Sequence, residues 1–294
     1  MPGLQLFTDS EEVRMTIAGI KSILVALTED GSEETPFALD YAVSLATKAE
    51  AHLTVMAASM RVEVAQAAVS RTISDLVTVE QRRREAKAAD ISDYALRLSK
   101  AAGVLCSVER PFLNYTDLRR SFTAKARVHD LVVLDAEASA IDLDRGLIHA
   151  AIYRTGRPVI VVPEGRDSFR LGKCVLAWDG SAAATRAIND ALPLLRAAQS
   201  VELLSVVDER EQTGPLSGAD FAPQLRRHGI EVVVNDVTQS GLSLADTIRT
   251  EVARARADLL VMGAYGHSRL REFVLGGVSR SLLQRSEVPL FLSH

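Results

Sequence analysis

The chain carries one structural plan twice, and any fold proposed for it must accommodate both copies. From Ser22 it runs SILVALTEDGSEETPFALDYAVSLA, and from Lys173 KCVLAWDGSAAATRAINDALPLL. Each is an apolar run, then Asp-Gly-Ser, then apolar residues three and four apart, which reads as strand, turn and helix. Aligning Asp30 with Asp179 places Ala38 against Ala187 and Ala42 against Ala191, with Ser32 and Ser181 as natural N-caps. The order persists beyond this point. Second strands HLTVMAAS and VELLSVVD start at His52 and Val201, and third strands VLCSVER and IEVVVND follow Gly103 and Gly229. The helical patterns TDLRRSFTAKARVHD and SLADTIRTEVARARAD then lead into LVVLD and LLVMG. The fifth strands, RPVIVVPEG and VPLFLSH, begin beside Pro158 and Pro289, where a strand tolerates a proline.

Five strands alternating with helices, twice over, predict an α/β protein of two tandem Rossmann-like domains. Each would hold a five-stranded, mostly parallel sheet covered by helices on both faces. The boundaries fall at residues 19–165 and 171–294, joined by the short polar stretch EGRDSFRLG. Composition agrees: 47% hydrophobic residues with only 5% aromatic means cores of Val, Leu, Ile and Ala, which suits buried parallel strands. The extra length of the first copy, Arg61–Ala102, reads as one or two helices. Its Gln-Arg-Arg-Arg-Glu run is a solvated helix face of mixed charge.

Several function classes drop out. A net charge of −4 gives no bulk attraction for nucleic acid. Cys106 and Cys174 lack the partners needed for a metal site or a disulfide framework, which suits a reducing compartment. No stretch approaches the roughly 18 apolar residues of a membrane span, and the first residues lack a signal-peptide core. The expectation is a cytoplasmic protein that meets no membrane.

Chemistry is expected where open parallel sheets bind ligands, beyond the carboxyl ends of the strands at the point where strand order reverses. In the second copy the fourth strand leads into LLVMGAYGHSRLREFVLGGVSRSLL. There Gly263 and Gly266 are followed, after nine intervening residues, by Gly276, then Gly277 and a helix containing Val278 and Ser279. Glycines let backbone amides approach an anion, and a helix start adds unpaired N–H groups and the positive end of its dipole. This reads as a phosphate cradle. It is neither the GxGxxG fingerprint of dinucleotide enzymes nor the Walker GxxxxGK[ST].

The spacing Gly, two residues, Gly, nine residues, Gly resembles the nucleotide-binding members of the universal stress protein family, as do the Asp-Gly-Ser turn and the closing VPLFLSH. The resemblance covers both halves in tandem and implies the adenine nucleotide alpha hydrolase-like version of the fold. It departs at Gly277, where the family pattern has a hydroxyl residue; Ser279 lies two residues further on. By this resemblance, Ala177, Trp178 and Asp179 would meet the adenosine moiety and the backbone of Val206 would face adenine. Met262, Gly263, Tyr265 and Gly266 would hold ribose and phosphates from one side, and Gly276, Gly277, Val278 and Ser279 from the other. Asp179 accepts ribose hydroxyls or simply bonds its own turn. Trp178 stacks near a base or fills an interface, and His267 and Arg269 reach a γ-phosphate or point to water. Valine at 263 or 266 is expected to abolish nucleotide binding with the fold intact.

The first copy reads LVVLDAEASAIDLDRGLIHAAIYRTGRPVIVV, without the opening glycine pair and with Asp135 and Glu137 where phosphates would lie. It is read as a degenerate partner domain. The edges Val159–Val162 and Leu290–Leu292 are expected to pair, joining the halves within one chain. Association into a homodimer stays open. The leading functional reading is an ATP-binding regulatory protein of the stress response, with or without Mg²⁺, acting on a regulatory protein partner. The alternatives are an interaction module that binds no nucleotide and a slow ATPase or phosphotransferase. Neither a Walker lysine nor paired acids accompany the glycines, so no catalytic or metal-binding residue is assigned.

Overall fold

The computed structural model describes residues 16–28, 36–61, 71–136, 146–207, 217–239, 241–264 and 277–294. The first half holds β1 (Ser22–Thr28), α1 (Phe37–Ala49), β2 (His52–Met60), α2 (Arg71–Ala101), β3 (Cys106–Glu109), β4 (Phe112–Leu113), α3 (Tyr115–Ala126), β5 (Leu131–Asp135), α4 (Leu147–Arg154) and β6 (Val159–Val162). The second holds β7 (Lys173–Trp178), α5 (Ala182–Asp190), α6 (Leu192–Leu195), β8 (Ser200–Val207), α7 (Gly218–Arg227), β9 (Val232–Thr238), α8 (Leu244–Ala255), β10 (Leu259–Gly263), α9 (Gly277–Arg285) and β11 (Leu290–Ser293). Among the described residues the inserted length of the first half forms one helix, α2. The second half breaks α5 from α6 beside Pro193, which has no N–H to continue the ladder.

All the strands lie in one sheet ordered β3-β2-β1-β5-β6-β11-β10-β7-β8-β9, with β4 off the path beside β2. Each half thus has the order 3-2-1-4-5 of a doubly wound layer. Neighbours are parallel except at the centre, where β6 and β11 run antiparallel with Leu290 opposite Val161, Phe291 opposite Ile160 and Leu292 opposite Val159. That junction removes two edge strands and sets the halves head to tail. The carboxyl ends of the second half's parallel strands therefore share one end of the sheet with the amino ends of the first half's.

Alternation along the strands builds two cores that continue across the junction. Ile23, Val25, Leu27, Cys174, Leu176 and Trp178 face one side, against α1, α5, α6 and α7. Leu24, Ala26, Val175 and Met262 face the other, against α3, α4, α8 and α9. The repeat extends to polar detail. Asp130 Oδ2 accepts the amides of Lys21 and Ser22 at 2.9 and 3.0 Å, and Asp258 Oδ2 accepts those of Gly172 and Lys173 at 2.7 and 3.0 Å. In both halves the carboxylate before the fourth strand fastens the start of the first.

The stretch between the halves is structural rather than a loose tether. Phe169 is fully buried, meets the Tyr41 ring edge-on at 5.5 Å, and donates its amide to Ser44 Oγ at 3.2 Å. Its carbonyl accepts Lys48 Nζ at 3.2 Å.

On the outer flank of the second half, buried Glu202 accepts from Lys173 Nζ at 2.6 Å, Asn235 Nδ2 at 2.8 Å and Arg254 at 3.0 Å. Burial raises its pKa, but the bonds from Lys173 and Asn235 and the charges of Lys173 and Arg254 outweigh it and hold the carboxyl below its usual value. A depressed folded pKa means stability that is full above the unfolded value, about 4.3, and is lost as pH falls through the folded one. Glu202→Gln is therefore expected to lower stability by about 1–3 kcal/mol at neutral pH and to converge with wild type in acid. Urea midpoints measured from pH 7 to pH 3 check this, and a pH-independent difference would contradict it.

Candidate nucleotide site

In the second half the chain leaves β7 for α5 on one face of the sheet and leaves β10 for α9 on the other. Neighbouring strands whose connections diverge in this way open a crevice between their carboxyl ends. Register fixes what meets there: Ala177 lies beside Met262, and Gly263 beside Ser293.

The turn after β7 is built from local chemistry. Gly180 takes φ +73°, a left-handed conformation that glycine adopts without a steric penalty. Asp179 Oδ1 accepts the Ser181 amide at 3.0 Å, and Ser181 Oγ accepts the Ala184 amide at 3.0 Å, capping α5. Asp179 is exposed, so this Asx turn holds the carboxylate at the crevice rim with one oxygen engaged. The indole of Trp178 points the other way. It is buried and stacks on Phe221 of α7 with centroids 4.2 Å apart, so its ring belongs to the core and only its backbone borders the crevice. Val206 lies one residue past the last β7–β8 pair, Trp178 with Ser205, so on its β7 side the backbone edge faces the crevice mouth.

Gly263 and Gly277 are glycines for different reasons. A β-carbon on Gly263 would stand 2.4 Å from the Ala184 nitrogen and 2.5 Å from the Ala183 carbonyl carbon. The close approach of α5 to β10 therefore requires glycine with or without a ligand. Valine at 263 cannot leave the fold intact, contrary to the expectation from sequence. At Gly277, the first residue of α9, a β-carbon would meet nothing within 4 Å and φ is not left-handed. Neither packing nor backbone conformation demands glycine there. Val278 is half-buried against the second core, and Ser279 is buried beneath it. Met262 packs into the same core. Tyr265, Gly266 and Gly276 lie outside the described residues, as do His267, Arg269, Asp30, Ser32 and Glu137.

The equivalent strand end of the first half carries a side chain that bonds the neighbouring helix. Asp135 occupies the strand position of Gly263, and its Oδ1 accepts the Ala38 amide at 2.7 Å in the first turn of α1. Helix α1 begins after Pro36 without a side-chain cap, so the neighbouring strand supplies the anionic acceptor. In the second half Ser181 caps α5 and the strand end is bare. Sequence reasoning read Asp135 only as repelling phosphate; its capping role depends on a contact across 97 residues.

Among the described residues no cluster of three His, Cys, Asp or Glu is placed to hold a metal, and no helix is long and apolar enough to cross a membrane. A cavity of about 290 Å³ lies at the opposite end of β10, lined by Arg249, Leu260, Leu282 and Val288, and plays no part in the crevice.

Residues 171–294 match the model of the universal stress protein family. A universal stress protein from Synechocystis is 25% identical over 167 residues, a match covering 55% of this chain and 56% of that protein, so the chain spans about half the length of this relative. Among solved structures, a universal stress protein from Archaeoglobus fulgidus superposes with a TM-score of 0.66 at 17% identity, covering 92% of this chain and 97% of the other. A functionally unknown protein from Pseudomonas aeruginosa superposes at 0.57 and 14% identity, covering 96% and 94%. At these identities the two structures show a shared fold across both halves. The crevice-bearing second half matches the universal stress protein family, and the chain is similar to members of that family.

Proposed function

We propose that the second half binds an adenine nucleotide, ATP with or without Mg²⁺, in the crevice between β7 and β10, and that occupancy rather than turnover is the output passed to a protein partner in a stress response. The observation that carries this reading is Gly277. It opens α9 with a glycine that packing does not need, at a helix start whose unpaired N–H groups and dipole favour an anion. The exposed Asp179 carboxylate at the opposite rim suits ribose hydroxyls. Gly263, Gly266 and Gly276 complete the spacing that resembles nucleotide-binding family members. In the same reading residues 19–165 form a degenerate domain of that family, in which Asp135 stands at the position of Gly263 and caps α1 instead. A cytoplasmic setting accords with two unpaired cysteines, Cys106 and Cys174.

The test is calorimetric titration of the nucleotide-stripped chain with ATP and Mg²⁺, followed by mass spectrometry for ADP after an hour. One ATP per chain with little ADP is expected. Gly277→Glu should weaken binding by about 10-fold or more, because it sets a carboxylate at the helix start. Its melting temperature should stay near wild type, since the new side chain enters open space. Wild-type affinity in Gly277→Glu, or no binding by the wild type, would sink the proposal. Rapid ADP formation would replace it with an enzyme.

A further inference from the structure

In the second half Arg280 stands in the first turn of α9, and the antiparallel junction brings a further basic cluster from the first half to the same end of the sheet. Helix α4 ends there, and contacts tie that end to the exit of β10. The Tyr153 ring meets the His294 ring edge-on at 4.8 Å, and His294 Nδ1 bonds the carbonyl of Ala264, the residue after β10, at 2.8 Å. His149 packs on the other side of Tyr153 at 4.5 Å. Arg154 follows Tyr153 in the last turn of α4. The Arg127 guanidinium caps that helix, donating to the Arg154 carbonyl at 3.0 and 3.3 Å, and Arg157 donates twice to the Arg127 carbonyl at 3.2 Å.

Three exposed arginines are thus gathered at one point, and none pairs with a carboxylate within 4 Å among the described residues. Arg157 influences Asp130, but one oxygen of that carboxylate is already held by the Lys21 and Ser22 amides and the Ser22 hydroxyl. The carbonyl end of α4 alone would repel an anion; three guanidinium groups reverse the sign of that surface. From β10 to β6 is two strand steps, about 10 Å at the usual spacing of paired strands. Helices α4 and α9 cover the same face, and α4 ends at the end of the sheet where α9 starts.

We infer that Arg127, Arg154 and Arg157 of the first half form the outer, cationic wall of the second half's ligand site and take the distal phosphates of a polyphosphate chain. This rests on the nucleotide reading above and adds a substrate class to it: ligands are discriminated by phosphate-chain length. It also assigns the first half a role in binding. Each guanidinium keeps donors beyond those spent on the carbonyl caps, and the planar fork matches phosphate oxygens.

The probe variant is Arg154→Glu, whose lost side chain makes no hydrogen bond or ion pair among the described residues. The full chain is titrated with AMP, ATP and inorganic tripolyphosphate. The wild type should bind ATP more tightly than AMP, and Arg154→Glu should weaken ATP by about 10-fold or more while changing AMP by less than about 2-fold. Equal effects on AMP and ATP, or none on ATP, would overturn the inference. Should the wild type bind neither nucleotide, the adenine reading fails by itself, and tripolyphosphate then decides the arginine wall. Tripolyphosphate binding that weakens in Arg154→Glu upholds the wall, whereas undiminished or absent binding removes it.

Discussion

Valine in place of Gly263 is expected to destabilise the chain by more than about 3 kcal/mol, and alanine there to be harmful as well. A β-carbon at this position would sit 2.4 and 2.5 Å from backbone atoms of Ala184 and Ala183, which belong to the first turn of α5 and cannot yield as a flexible side chain could. Helix α5 would have to lift from β10, opening the core around Ala184, Ala187 and Ile188. Aspartate would not rescue the position as it serves the first half at 135, because Ser181 already takes the Ala184 amide. Urea unfolding followed by circular dichroism provides the measurement, with Gly277→Ala as the control that should keep wild-type stability. A Gly263→Ala protein as stable as wild type would show that α5 does not need the close approach. The result also bears on function, since loss of nucleotide binding in a position-263 variant would report the collapse of a packing contact as readily as the loss of a phosphate contact.

Phe169→Ala is expected to lose about 3–5 kcal/mol, the range for deleting a buried aromatic side chain from a packed core. The residue stands between the halves in sequence, yet its ring is fully buried against Tyr41, and its backbone bonds Ser44 and Lys48 of α1. Removing the ring leaves a cavity in a core that runs without interruption from Ile23 to Leu176. Because that core is shared, unfolding of the variant should remain a single transition at a lower urea midpoint. Two separated transitions, or a loss below about 1 kcal/mol, would mean that the stretch between the halves is a tether after all.

The duplication, the alternation of strands and helices and the five main strands of each half were legible in the sequence because their causes are local, while the short β4 beside β2 was not. Residue periodicity fixes which face of a strand or helix is apolar, and turn chemistry acts over two to four residues. The Asp-Gly-Ser turn at 179–181 and the Ser181 cap follow from that range of action. The pairing of Val159–Val162 with Leu290–Leu292 was also accessible, since two apolar last strands would otherwise leave open edges.

What only the tertiary structure decided involves groups far apart in the chain. Asp135 caps a helix across 97 residues, Phe169 is fixed by a residue 125 away, and Gly263 is dictated by Ala183 and Ala184. Trp178, a candidate base-stacking residue in the sequence, turns its ring onto Phe221 because strand alternation points it into the first core. The placement of Arg127, Arg154 and Arg157 at the end of the sheet where β10 exits follows from the antiparallel sense of the β6–β11 junction, which reverses one half against the other. Local propensity sets what each segment becomes; which segments meet is settled by the packing of all of them at once, and that packing brings the end of α4 against His294, the residue that follows β11.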